Sequence, residues 1–512
     1  MKKIVIIFSV FSLIGLSCNK KQKEVKPNII MFLVDDMGWQ DTSVPFWKEK
    51  TPNNNKFYTP NMELLAEQGM KFTQAYACAV CSPTRVSLMT GMNAARHRVT
   101  NWTLKRNASN DVKDDILDFP KWNVNGLQAT DSIENTVYAT TLPKILKDNG
   151  YFTIHVGKAH FGAISTPGEN PLNLGFDINI AGHAAGAPGS YQGVNNFGND
   201  SLGNPQNNWS VPGLEKYHGQ DINLSDVLTK EAILAMDSSR ATGKPFYLYM
   251  AHYAVHVPIE ADSRFFQKYV DQGLDSIEAK YASMVEGMDK SLGDLMNYLD
   301  ENELADNTII LFMSDNGGLS AGRRGGEKHK HNLPLNSGKG SAYEGGIREP
   351  MIVKWPGVVK PASVDKDYLI IEDFFPSILE MANIQDYKTV QDIDGLSFVP
   401  NLKDERTSSD ERALFWHFPN KWGSPGPGIG TSSTIRSGNW KLIYYYKNKN
   451  FELFNIKNDI GELHDLSTEN PDKVKELAIK LGNHLRNADA QMPIDKRTGK
   501  VVEWPDEQIS KQ

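Results

Sequence analysis

Five short apolar runs constrain what this chain can fold into more than any other feature: Asn28 to Val34, Phe152 to Val156, Pro245 to Met250, Thr308 to Met313 and Pro350 to Trp355. Each is nearly continuous rather than alternating, the pattern of a strand buried on both faces. Helical patterns lie between them. Asn61 to Gly69 and Val137 to Lys147 read as short helices, and Ile277 to Leu299 places Tyr281, Met284, Val285, Met288, Leu292, Leu295 and Leu299 on one stripe. Strands alternating with helices predict an α/β fold whose mainly parallel sheet is covered on both faces. Ligands of such sheets sit beyond the carboxyl ends of the strands. Polar residues collect at those ends: Asp35-Asp36, then Lys158 and His160, then His252 and His256, then Asp315-Asn316.

The rest of the chain fits around that frame. At 512 residues it can bury a large core, and 41 glycines with 26 prolines and no repeat favour a loop-rich enzyme over a helical bundle. The segments Asn101 to Thr136 and Ala163 to Asp221 leave the polar edge and are long enough to wall a pocket. The composition changes near residue 400, giving a main domain over 27–400 and a C-terminal α+β subdomain over 401–512. In the latter, Ala413 to Phe418, Ser433 to Arg436, Trp440 to Tyr446 and Phe451 to Asn455 read as an antiparallel sheet, covered by a helix from Pro471 to Arg486. A formal charge of −7 argues against nucleic acid as a partner.

The first residues have the layout of an export signal: Lys2-Lys3, an apolar run from Ile4 to Leu16, then Ser17-Cys18. Gly15-Leu16-Ser17-Cys18 resembles a bacterial lipobox with its leucine displaced by one position. On that reading residues 1–18 are the signal, Cys18 is lipidated and 19–26 form a polar tether. The expected location is the periplasm or the outer membrane, reached by a lipid anchor. The alternative is an ordinary cleaved signal with Cys18 incidental.

Chemistry gathers at Cys81-Ser82-Pro83-Thr84-Arg85-Val86-Ser87-Leu88-Met89-Thr90-Gly91, a loop running into a helix. The helix dipole and Arg85 both favour an anion beside Cys81. Cys78 and Cys81 also form a Cys-x-x-Cys pair, so a redox disulfide or half a zinc site are competing readings. No second pair completes a zinc site, and an expected helix rather than a strand precedes the motif, unlike a thioredoxin-type pair. Asp35, Asp36, Asp315 and Asn316 offer only hard oxygen ligands, which suit Ca²⁺ and, less well, Mg²⁺.

The Cys81 run resembles the signature of the type I sulfatases, Cys-x-Pro-Ser/Thr-Arg followed by Thr-Gly. Other stretches resemble the same family in the same order. Gly157-Lys158-Ala159-His160-Phe161-Gly162 is similar to its Gly-Lys-Trp-His-Leu-Gly, and Ala254-Val255-His256-Val257-Pro258 to its Pro-His-x-Pro. Lys339-Gly340-Ser341 and Glu344-Gly345-Gly346-Ile347-Arg348 match a further run. The departures are Ala159, Phe161 and Val255. The resemblance implies an alkaline-phosphatase-like fold and hydrolysis of sulfate esters. It also implies a maturing enzyme that oxidises Cys81 to formylglycine, whose hydrate is the nucleophile. It assigns Asp35, Asp36, Asp315, Asn316 and the modified Cys81 to calcium. Arg85, Lys158, His160, His256 and Lys339 become catalytic residues, with His97 as a further support. His256 and Lys339 would protonate the leaving alcohol, and His160 would serve as a base.

Trp102, His183, Arg323, Arg324 and His331 lie on the loops expected at the mouth and form the candidate substrate-binding set. Aromatic, histidine and arginine side chains together suit a sulfated saccharide, with a galactose or N-acetylgalactosamine sulfate expected. Two alternatives belong to other classes. One is a phosphomonoester or phosphodiester hydrolase of the same superfamily, and the other is a non-catalytic protein that binds sulfated glycans.

Overall fold

The computed structural model describes residues 26–405, 412–423 and 425–511. The expected signal, Cys18 and the tether as far as residue 25 lie outside the described residues. Its centre is an eight-stranded sheet. In chain order the strands are β1 (Asn28–Val34), β2 (Met70–Tyr76), β3 (Phe152–Gly157), β4 (Ile178–Ile180), β5 (Phe246–Ala251), β6 (Thr308–Ser314), β7 (Arg348–Lys354) and β8 (Ser363–Ile370). Their spatial order is β8-β2-β7-β6-β1-β5-β3-β4. Every pairing is parallel except those of β7, which runs antiparallel to both β6 and β2.

β1 shows why a continuous apolar run makes a central strand. Ile29, Met31 and Leu33 enter one core and Ile30, Phe32 and Val34 the other, all essentially inaccessible to water. Each such side chain contributes about 1.5–3 kcal/mol relative to leaving it exposed. The first core is closed by helices α1 (Cys81–Thr90), α2 (Leu142–Asp148) and α3 (Phe374–Met381). The second is closed by two longer helices, Leu224–Thr242 and Ser276–Glu301, the latter starting one residue before and ending two residues after the predicted stripe.

Three strands escape the sequence reading. β2 and β8 mix polar residues into their apolar pattern, and β4 is a three-residue half-buried edge. The helix expected over Val137 to Lys147 is shorter, beginning at Leu142. Val137 and Tyr138 instead pair with Leu127 and Gln128, and Pro143 sits in the first helical turn, where its missing N–H costs nothing. A strand, β2, and not the expected helix lies directly before Cys78, as in a thioredoxin-type pair. Both cysteines are nevertheless free.

The C-terminal part is a four-stranded antiparallel meander, Ala413–Phe418, Ser432–Ser437, Trp440–Tyr445 and Asn450–Asn455. The helix Pro471–Asn487 packs Val474, Leu477, Leu481 and Leu485 against Ile435, Leu442, Tyr444 and Leu453. Among the described residues, no helix is long and apolar enough to cross a membrane.

Candidate functional site

Strands β1, β3, β5 and β6 deliver Asp35-Asp36, Lys158, His256 and Asp315-Asn316 to one end of the sheet, and β2 leads into the Cys81 helix. Two adjacent aspartates can face one point only if the chain turns between them. Asp36 itself makes that turn, at φ 58°, a left-handed conformation aspartate tolerates better than most residues. Cross-loop hydrogen bonds fix it: Asp35 N–H donates to Ala254 O (3.0 Å) and Val255 N–H to Asp35 O (2.7 Å).

Three buried cations meet three buried carboxylates there. Lys158 Nζ lies 2.6 Å from Asp35 Oδ2, Lys339 Nζ lies 2.6 Å from Asp36 Oδ1, and the Arg85 guanidinium lies 2.8 Å from Asp315 Oδ2. Arg85 also donates to Lys158 O at 2.8 Å. Burial works against charge on Asp36, yet Lys339 and His256 hold its carboxyl below the ordinary range. Asp35 goes the other way, pushed well up by burial and by Asp315.

These pairings leave oxygens over. Asp35 Oδ1, Asp36 Oδ2 and Asn316 Oδ1 are buried and have no hydrogen-bond partner among the described residues. Single ligand atoms of Asp35, Asp36 and His256 fall within 4.8 Å of one another. Buried polar atoms without partners are rare and costly, and a cluster of them built from hard oxygens fits a divalent cation such as Ca²⁺. The charges agree with this. With all three carboxyl groups ionised they balance the three cations, so a divalent ion would give the site a positive excess that an anionic ester offsets.

Cys81 opens α1 beside this cluster and lines the cleft with Val80, whose side chain offers no cap to the first helical N–H groups. Burial raises the thiol above its ordinary value despite Lys158 and Lys339, so the unmodified side chain is held as a thiol. His160 takes φ 56° and bonds through Nε2 to Thr103 O at 2.8 Å. A ring nitrogen facing a carbonyl must carry the hydrogen, which leaves Nδ1 as a lone-pair acceptor with no partner among the described residues. Burial and Lys158 keep this imidazole neutral. His256 donates from Nδ1 to Val257 O (2.9 Å), which turns Nε2 to within 3.6 Å of Asp36 Oδ2. Tyr191 O–H braces that loop through Tyr253 O and His256 O.

Above the cluster is a cleft of about 680 Å³, floored by Asp36, Cys81, His160, His256 and Lys339. Both long loops wall it as expected: Trp102 comes from the first, Gly186 to Gly189 and Trp209 from the second. Of the candidate substrate residues, Trp102 and Arg323 line the cleft, and three do not. Arg324 turns inward, with a wholly buried side chain bonded to Asp41 and Glu278. His331 bonds Ser320 and Gly325 O, and His183 is packed against Tyr253 while its carbonyl accepts from His160 N–H. A polar loop residue beside a strand edge is as well placed to tie the loop down as to face outward.

His97 bonds Ser87 Oγ (3.0 Å) and receives Val99 N–H, and His252 bonds Ser291 Oγ (2.9 Å); neither lines the cleft. Ala159, Phe161 and Val255, the departures from the family motifs, all point into the cores, so they change packing rather than the cleft. Trp209 and Trp422 line the cleft without any sequence motif to announce them.

A family model described as "Sulfatase" matches residues 27–384. The chain belongs to the sulfatase family. A second model, the C-terminal region of N-sulphoglucosamine sulphohydrolase, matches residues 338–491. A sulfatase of Formosa agariphila is 32% identical over 528 residues, covering 93% of this chain and 90% of that protein. Human N-acetylgalactosamine-6-sulfatase is 30% identical over 433 residues, covering 79% and 74%. The crystal structure of Ps i-CgsB in complex with k-i-k-neocarrahexaose is 25% identical, with a TM-score of 0.70 over 95% of this chain and 97% of that one. This sulfatase is therefore a sulfuric ester hydrolase with the alkaline-phosphatase-like fold.

Proposed function

We propose that this sulfatase removes sulfate from a sulfated saccharide, using formylglycine made from Cys81 and a bound Ca²⁺. The observation that carries the reading is the cluster of partnerless buried oxygens on Asp35, Asp36 and Asn316, set beside Cys81 and ringed by Arg85, Lys158 and Lys339. The oxygens and Asp315 would hold the ion; the ion and the hydrated aldehyde at position 81 would together supply a nucleophile of lowered pKa.

The chain's own residues do the rest. Lys339 lines the cleft and is already desolvated and fixed by Asp36, so it can grip a sulfate oxygen with little reorganisation, while Arg85 and Lys158, wholly buried behind it, add fixed positive charge to the site. Lys339, an ammonium facing the cleft, delivers a proton to the departing alcohol; His256 Nε2 faces the same space, but burial and Lys339 keep its imidazole neutral, so it can donate only after taking up a proton itself. His160 Nδ1, a neutral imidazole nitrogen, is the acceptor available to take a proton from the hydrated aldehyde when sulfate is expelled. The aromatic walls Trp102 and Trp209 suit the apolar face of a pyranose. A galactose or N-acetylgalactosamine sulfate is supported by relatives named for N-acetylgalactosamine-6-sulfate and by a structure holding a neocarrahexaose. Export, with Cys18 lipidated, rests on the layout of residues 1–18.

The test is sulfate release from defined galactose and N-acetylgalactosamine sulfates, with matched phosphate esters alongside and mass analysis of the peptide holding Cys81. Release from saccharides together with the aldehyde mass is expected. Faster turnover of the phosphate esters, or full activity with an intact thiol or a Cys78–Cys81 disulfide, would overturn the reading. Mass analysis of the mature N-terminus from membranes tests the anchor, and an unlipidated Cys18 would refute it.

A further inference from the structure

The cleft does not end at the wall formed by Trp422. A second cavity of about 630 Å³ opens on the side of the C-terminal sheet, and Val112 and Trp422 line both. Each volume lies within the roughly 300–1,000 Å³ typical of ligand sites. We infer that this second chamber binds the continuation of the saccharide beyond the sulfated unit, so that the preferred substrate is an oligosaccharide passing across Trp422. The inference rests on the proposed function and extends it to the length and course of the substrate.

Trp422 is firmly mounted. Its ring lies on the backbone of Gly340, next to Lys339: a Cβ placed on Gly340 would fall 2.1 Å from the indole. The preceding residues are stitched to the first long loop. Lys421 O accepts from Val112 N–H at 3.0 Å, and Asn420 bonds Thr100 (2.5 Å) and Asp111 (3.0 Å). An aromatic ring fixed between two cavities and adjoining a floor residue is suited to stack a sugar.

The chemistry of the second chamber differs from that of the first. Tyr343 and Tyr445 both donate to Glu452 Oε2, at 2.9 and 3.0 Å, and keep phenolic lone pairs as acceptors. Lys421 and Lys447 both pair with Asp114 Oδ2, at 3.2 and 3.0 Å. Its cations are thus matched by carboxylates, with no excess positive charge to attract a second sulfate. Aromatic faces with hydroxyl and ammonium groups at the rim suit the uncharged body of a sugar chain.

The experiment measures kcat/KM for sulfated mono-, di- and tetrasaccharides of one galactan or galactosaminoglycan series. It uses the mature enzyme and the Trp422→Ala, Trp422→Phe and Tyr445→Ala variants, with thermal melts as folding controls. In the unaltered enzyme kcat/KM should rise about tenfold from mono- to tetrasaccharide, equivalent to roughly 1.4 kcal/mol. Trp422→Ala should collapse that ratio toward one, Trp422→Phe should recover most of it, and Tyr445→Ala should reduce it. A ratio flat with length in the unaltered enzyme, or one surviving both alanine variants, would overturn the inference. If no saccharide released sulfate, the proposed function would fail. Calorimetry of the desulfated tetrasaccharide with Cys81→Ala would then decide the chamber: binding lost in the added Trp422→Ala supports it, and no binding overturns it.

Discussion

Arg324 was expected to meet substrate and instead ties the cleft's outer loop to the residues beneath the metal-ligand candidates. Its guanidinium stacks on Tyr281 with Cζ 3.8 Å from the ring centre, and lies 3.0 Å from Asp41 Oδ2 and 2.6 Å from Glu278 Oε1. Tyr281 O–H in turn donates to Asp41 Oδ2 (2.7 Å) and reaches Asp36 O (3.2 Å). Replacing Arg324 by methionine keeps much of the volume and strands two buried carboxylates. Breaking such a pair costs about 3–5 kcal/mol. Lys56 remains 2.9 Å from Glu278, so about 3 kcal/mol is expected. The pH dependence gives a sharper test. Burial opposes ionisation of Glu278, but Arg324 and Lys56 overcome it and pull the carboxyl from 4.5 down to about 2. Because the folded value is depressed, the associated stability of roughly 3 kcal/mol is fully present above pH 4.5 and disappears as pH falls toward 2. Arg324→Met should therefore lower the urea midpoint strongly at pH 7 and progressively less below pH 4.5. A loss under about 1 kcal/mol at pH 7, or one that stays constant down to pH 3, would refute this account.

Cys81→Ala and Cys81→Ser should each abolish multiple turnover with little change in thermal midpoint, because the side chain is buried but small; ordinary activity in both would remove position 81 from the chemistry. Adding Ca²⁺ to chelated protein should raise the melting temperature, and Asp35→Asn should blunt that rise by removing charge from the oxygen cluster. A melting curve indifferent to calcium, with full activity after exhaustive chelation, would contradict the ion. Gly340→Ala should cost about 1–3 kcal/mol, since Gly340 takes φ 84° and abuts the Trp422 indole. Urea unfolding alongside tryptophan fluorescence reads both the loss and the displaced ring.

The central strands were legible because burial on both faces writes itself as an unbroken apolar run, as in Asn28–Val34 and Thr308–Ser314. Ser363–Ile370 was not, because the first five residues of that edge strand include Asp365, Lys366 and Asp367. The floor of the cleft was legible for a related reason: strand ends place Asp35, Lys158, His256 and Asp315 in common space once the sheet is known to be parallel. Its walls were not. Whether a loop arginine faces a ligand or a buried aspartate depends on long-range contacts, and Arg323 and Arg324, adjacent in sequence, take opposite directions. Trp209 and Trp422 sit 213 positions apart and come to one cleft only in three dimensions.

The reversed strand β7 has a consequence of its own. Because it runs against β6, it starts where β6 stops, so the connecting residues 315–347 leave and rejoin the same rim without crossing the sheet. Such a segment can be lengthened, shortened or exchanged while both of its anchors stay put. Recognition of new substrates could therefore be acquired by exchanging only the residues between Asn316 and Lys339, with Asp315, Asn316 and Lys339 themselves kept at the two ends.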